Sequence, residues 1–283
     1  MEVCLIMTKP MIGYQVYSAR EDASKDLLSV LKTLKELGYD GVEFAGFYGH
    51  TAEEVKKMLD ETGLVAISSH VPYDSIIADM FGTIAYHKAI GCSYIAVPFL
   101  GDNERPGGPK FAEAIKNIYK FGKLCKAAGI TLLYHNHDFE FVTVSGQYGL
   151  DFLYSAVPPC TLETEIDCCW VKYAGLNPAE YIKQYAGRCH VVHLKDYVGK
   201  KGGKQPYALI KADGEDDGTA ANTDDVAFEF RPVGHGCQNI PEIIAAGLES
   251  GAEVFIVEQD LSIGRTPLEA AKMSRDYIKS IGY

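Results

Sequence analysis

Two imidazoles and two carboxylates crowd one short stretch of the chain, Tyr134-His135-Asn136-His137-Asp138-Phe139-Glu140-Phe141. His135 and His137 are two residues apart, so in extended backbone they point to the same side. Imidazole titrates near neutral pH and ligates metals; a carboxylate serves as ligand or proton acceptor. The same side-chain types recur at or near the ends of other short strand-like segments, as Glu43, His70, Asp167, His193 and Glu258. Carboxylates gathered at one place repel one another unless a cation or bound protons compensate. A divalent metal ion is the economical compensation. Carboxylate oxygens with an imidazole suit Mn²⁺ first, and Mg²⁺, Co²⁺ or Zn²⁺ as alternatives. Cys168 and Cys169 directly follow Asp167 and leave a sulfur ligand open. Neighbours on an extended strand face opposite ways, so both would not reach the same ion.

Elements able to gather these residues follow from periodicity. Residues 130–134 form a short apolar run after the helix stop Ala127-Ala128-Gly129, the pattern of a fully covered strand. Further strands are expected at 12–17, 39–44, 65–70, 94–98, 162–167, 190–196 and 254–258. Helices are expected between them at 22–37, 51–63, 75–90 and 110–128, from 177 onward, at 240–247 and at 267–281. Thr51-Ala52-Glu53-Glu54 has the form of a capping box, and Asn177-Pro178 that of a cap followed by a first-turn proline. Eight strand-then-helix units predict a single (β/α)8 TIM barrel spanning 1–283, of class α/β. An open doubly wound sheet is the rival, but no G-x-G-x-x-G follows the first strand. Residues 197–228 are glycine-rich and acidic and read as a long loop insertion after strand seven. In a barrel of this kind the strands' C-terminal ends form the working face, and that is where the acids and imidazoles fall.

Composition limits the functions available. A hydrophobic content of 47% supplies a large core, and a net charge of −11 repels phosphate backbones, which counts against nucleic acid. No apolar run is long enough to span a membrane. The eight cysteines are scattered without a C-x-x-C pair, as suits a reducing cytoplasm, and no secretion signal opens the chain.

Several motifs together resemble the xylose isomerase-like barrels, in particular the sugar phosphate isomerase/epimerase group. They are Gly38-Tyr39-Asp40-Gly41-Val42-Glu43, the stretch 134–141, Glu165-Ile166-Asp167, His193-Leu194-Lys195-Asp196, Pro232-Val233-Gly234-His235-Gly236 and Val257-Glu258-Gln259-Asp260. The resemblance implies one divalent cation held by an acid, Asp, His and Glu from strands five to eight. Asp167, His193 and Glu258 are the last three. Relatives often end strand five in Glu-Asn-His, where this chain has His135-Asn136-His137, so either Glu140 reaches back to the ion or His135 replaces the carboxylate. Glu140 is the expectation, because it preserves the ligand set and frees a histidine. Gly234-His235-Gly236 likewise departs from a Gly-Glu-Gly common in relatives.

The resemblance further implies a sugar isomerase or epimerase working by proton abstraction beside a carbonyl, through an enediolate. His135 or His137 is the expected base, with Glu140 and Glu258 as ligands able to share that role. Glu43, His70, Trp170, Lys195 and Arg231 are expected to contact substrate. The alternative is a dehydratase or lyase acting on a keto-inositol or 3-keto-glycoside, with the 197–228 insertion docking a partner subunit. A barrel-shaped apurinic endonuclease and a non-catalytic sugar-binding protein are further alternatives. A homo-oligomer is left open.

Overall fold

A computed structural model describes residues 9–199 and 228–283. Eight parallel strands carry the architecture: β1 (Met11–Gln15), β2 (Gly41–Phe44), β3 (Val65–Ser69), β4 (Tyr94–Val97), β5 (Thr131–His135), β6 (Glu163–Asp167), β7 (Val191–Val198) and β8 (Val254–Glu258). They neighbour one another in the order β3-β2-β1-β8-β7-β6-β5-β4. A parallel bridge between His70 and Ala96 joins the two ends, with Val71 N–H donating to the Ala96 carbonyl at 2.9 Å. The result is the expected (β/α)8 barrel with helices outside it.

Two expected helices are each broken by an aspartate. Asp26 separates Arg20–Lys25 from Leu27–Leu37, and Asp79 separates Tyr73–Ala78 from Met80–Ala89. Both aspartates have non-helical backbone and accept from the amide three residues on, Ser29 at 3.0 Å and Gly82 at 2.7 Å. Each carboxylate caps a new helix start, a local competition that apolar periodicity does not register. The capping box at Thr51 and Glu54 is present, as are the Asn177 cap and first-turn Pro178. β7 runs on to Val198 and pairs antiparallel with Glu229–Arg231. Most of the expected insertion, 200–227, lies outside the described residues.

Apolar packing fills the barrel below the site. Ile67, Ala96, Leu133, Val191, Val254 and Ile256 form a buried plug, separate from the larger layer between strands and helices. Gly13 and Gly41 make room for it: a Cβ at Gly13 would lie 2.5 Å from Ile256 Cδ1, and one at Gly41 2.5 Å from the Val65 carbonyl oxygen. Strand alternation then sets the next inward positions above the plug. From Leu133 it reaches His135, from Val191 His193, and from Ile256 Glu258.

Candidate metal centre

The polar interior above the plug has two tiers. The lower holds Gln15, Glu43, His70 and Glu165, the upper Asp167, Lys195 and Glu258, and the imidazoles of His135 and His193 stand between them. Register produces this stacking, since Gln15 lies beside Glu43, His135 beside Glu165, Asp167 beside His193 and Glu258 beside Lys195. All of these residues are buried.

In the lower tier His70 Nε2 lies 2.8 Å from Glu165 Oε2 and 3.1 Å from Glu43 Oε1. Gln15 donates to Glu43 Oε1 at 2.6 Å. Burial works against the charge on Glu165, yet His193 and His70 hold its carboxyl well below the usual range. Glu43 is raised, by burial and by the neighbouring Glu165. The same carboxylates keep His193 and His70 protonated above the ordinary imidazole range in spite of burial.

In the upper tier Asp167 ends β6 and begins the helix Cys168–Tyr173. Its Oδ1 accepts from the amides of Cys169 at 2.7 Å and Trp170 at 3.1 Å, while buried Oδ2 has no hydrogen-bond partner and faces the cluster. One carboxylate therefore caps a helix and presents a ligand atom. The sequence expectation for Cys168 and Cys169 assumed extended backbone; here the helix begins at Cys168, and its Sγ accepts from Lys195 N–H at 3.5 Å. Burial pushes the Asp167 carboxyl up to about 7 against the pull of Lys195. Lys195 Nζ lies 2.7 Å from Asp260 Oδ2, 3.2 Å from Glu258 Oε2 and 3.8 Å from Asp167 Oδ2. Despite burial, Asp260 and Glu258 keep its ammonium charged, and Glu258 in turn is held well below the usual range by Lys195 and His193.

Ligand atoms of His135, Asp167, His193 and Glu258 all lie within 4.8 Å of one another. His135 Nε2 is 3.7 Å from Asp167 Oδ2, and His193 Nδ1 is 2.9 Å from Glu258 Oε2. Two carboxylates and two imidazoles, with Asp167 Oδ2 orphaned among them, fit a divalent cation. Glu140, the expected strand-five ligand, does not join them. Its oxygens accept from Tyr134 Oη at 2.7 Å and His137 N–H at 2.8 Å, an anchoring that closes its own loop turn. His135 stands in the place the carboxylate was expected to fill. Burial raises the Glu140 carboxyl to about 7.

The remaining expected residues divide. His137 lies beside the cluster, its ring 5.3 Å from His135, stacked on Phe139 at 5.1 Å and 5.2 Å from Trp170. Burial and the neighbouring His135 depress its basicity, which leaves a neutral imidazole, and its Nδ1 has no hydrogen-bond partner. Trp170 is fully buried with the Lys195 ammonium 5.1 Å from its ring, so it backs the lysine instead of lining an open surface. Glu43 and His70 sit in the lower tier. Arg231 is half-buried and pairs with Glu229 at 3.1 Å. Asp196 clamps the Gly234–Gln238 loop by accepting from the amides of Gly234, Gly236 and Gln238, which leaves His235 exposed. Sequence reasoning missed Glu165 and Asp260 as site residues. Both are two residues from an identified acid, Asp167 and Glu258. For Glu165 the strand alternation that pairs His135 with His137 is the signal; Asp260 lies past the end of β8, where alternation no longer applies.

The family described as xylose isomerase-like TIM barrel matches residues 31–281. An inosose dehydratase from Geobacillus kaustophilus is 23% identical over 274 residues, covering 88% of this chain and 85% of the relative. A crystal structure of a sugar phosphate isomerase/epimerase from Parabacteroides distasonis superposes with a TM-score of 0.75 at 22% identity, covering 99% of this chain and 97% of that one. The structure of an IOLI protein with a bound zinc atom superposes with a TM-score of 0.68 at 15% identity, covering 96% and 97%.

Proposed function

The chain belongs to the xylose isomerase-like TIM barrel family, and from that premise we propose that it is a divalent-metal-dependent isomerase or epimerase of a sugar or sugar derivative. The observation that carries this reading is the convergence of His135, Asp167, His193 and Glu258 at the strands' C-terminal ends. These four residues would hold the cation, Mn²⁺ first by the oxygen content of the set. When bound, the ion supplies a Lewis acid that polarises the substrate carbonyl and stabilises charge developing on its oxygen.

His137 is the base that removes the proton from the carbon beside the carbonyl. Its imidazole is kept neutral by burial, its Nδ1 has no hydrogen-bond partner, and it adjoins the ligand His135. Glu258 shares ligation with proton transfer. Glu140 holds the His137 amide and so positions the base. Lys195 is the protein's own cation beside Glu258 and Asp167, placed to hold the oxyanion of an enediolate. Glu43 and His70 act from beneath the ligands, and Trp170 fixes Lys195. Arg231 would receive an anionic substituent only by leaving Glu229. The substrate is a small carbohydrate; the proposal needs neither nucleic acid nor membrane.

A second reading has a specific observation behind it. Inosose dehydratases are among the relatives, at 23% and 26% identity over most of both chains. If the carbon next to the abstracted proton carries a leaving hydroxyl or glycoside, the same enolate eliminates it. One experiment separates the two. Mn²⁺-loaded protein is incubated in D₂O with inososes and ketohexoses, and products are followed by NMR. Deuterium in an isomer or epimer supports the first reading; an unsaturated or dehydrated product supports the second. Failure to exchange carbon-bound hydrogen in any ketose or inosose opposes both.

A further inference from the structure

The two central imidazoles face both tiers with different nitrogens. His193 directs Nδ1 at Glu258 Oε2, 2.9 Å away, and Nε2 at Glu43 Oε1, 2.8 Å away, and Glu165 Oε1, 3.7 Å away. His135 directs Nε2 at Asp167 Oδ2, 3.7 Å away, and Nδ1 at Glu165 Oε2, 3.5 Å away. Below them His70 Nε2 reaches Glu165 at 2.8 Å. The ligand atoms of His70, His135, Glu165 and His193 also all lie within 4.8 Å of one another. Within this lower set Glu165 Oε1, His135 Nδ1 and His193 Nε2 are buried without hydrogen-bond partners.

We propose that His70, His135, Glu165 and His193 form a second cation station, one tier beneath the upper set, selective for a borderline ion such as Zn²⁺. Three imidazoles and one carboxylate match zinc, which takes histidine-rich sites, whereas the upper set carries the extra carboxylate that suits Mn²⁺. The two stations exclude each other. A neutral imidazole has one lone pair, so each histidine ligates through one nitrogen while the other carries its proton. With the ion above, the N–H groups at His193 Nε2 and His135 Nδ1 face Glu43 and Glu165. With the ion below, the N–H groups at His193 Nδ1 and His135 Nε2 face Glu258 and Asp167. Either state is a carboxylate–histidine–metal relay that orients the ligand ring. The chain thus takes one ion at a time and sorts it by chemistry. This goes beyond the proposed enzymology, which needs only the upper station.

The test uses metal-free full-length protein titrated separately with Zn²⁺ and Mn²⁺ by calorimetry, and X-ray absorption at the zinc edge. The expected results are one ion per chain and a zinc spectrum that fits three imidazoles. Glu165→Gln weakens zinc by about tenfold or more beyond whatever it costs manganese, and Glu258→Gln gives the reverse. A zinc spectrum with two imidazoles overturns the proposal, as do variants that weaken both ions equally. If the variants fail to fold, the wild-type spectrum alone decides the imidazole count. Manganese binding and deuterium exchange by wild type need no ion in the lower station, so their failure is distinguishable from failure here.

Discussion

On the proposed reading Asp167 has two tasks on two oxygens, helix cap and cation ligand, and substitution separates them. Asp167→Asn keeps an oxygen for the Cys169 and Trp170 amides but loses the charge offered to the cation. We expect the variant to fold with a midpoint near wild type, while metal affinity and turnover fall by about a thousandfold or more. Asp167→Ala also loses the cap, and its melting point should drop by the equivalent of about 1 kcal/mol further. Calorimetry and metal analysis check both variants. Glu140 allows a pH test. Its carboxyl is raised from an ordinary 4.5 to about 7 by burial. Between those values the folded chain holds a proton that the unfolded chain has released. The contribution is complete below the lower value and is lost as pH rises through the upper one, by about 3 kcal/mol. Glu140→Gln removes this dependence, so urea midpoints of metal-free variant and wild type should diverge in the variant's favour between pH 5 and pH 8. Parallel midpoints across that range would show that Glu140 is ionised in the fold at both ends.

Among the elements, the two strand glycines beside the plug leave no room for a side chain. Gly41→Ala would place a methyl 2.5 Å from the Val65 carbonyl oxygen, a backbone atom that cannot turn aside. The expected loss is about 1–3 kcal/mol in denaturant unfolding. How much could be read from sequence differs by element in the same physical terms. Strands β5 and β8 are legible because their apolar runs are buried and end abruptly in an imidazole or an acid. Breaks at Asp26 and Asp79 are not, because each depends on one side chain capturing an amide three residues on. Asp167, His193 and Glu258 come as a set from the family resemblance, and barrel topology brings the ends of their adjacent strands together whatever their separation in sequence. Whether Glu140 or His135 joins them was not readable. The placement of Glu140 turns on the short 3-10 turn Phe139–Phe141, in which its carboxylate is held by Tyr134 and His137 away from the cluster. Glu165 was hidden because it lies one step deeper, where an apolar plug residue is the usual occupant.

At the scale of the whole molecule, several ionisable side chains are enclosed in the upper end of a barrel that is apolar below. The net charge of −11 adds a field that favours cations over anions at this mouth. Stripping metal with a chelator should therefore lower the melting temperature, and readdition should restore it. An ion at a hundred times its dissociation constant stabilises the folded chain by about 2.7 kcal/mol. Among the described residues no helix is long and apolar enough to cross a membrane, and the seven described cysteines are free. The most direct measurement is anomalous scattering from crystals soaked in Mn²⁺. A single strong peak bounded by His135, Asp167, His193 and Glu258 is the predicted result. Manganese found only on surface carboxylates, with those four side chains still paired to one another, would contradict the account.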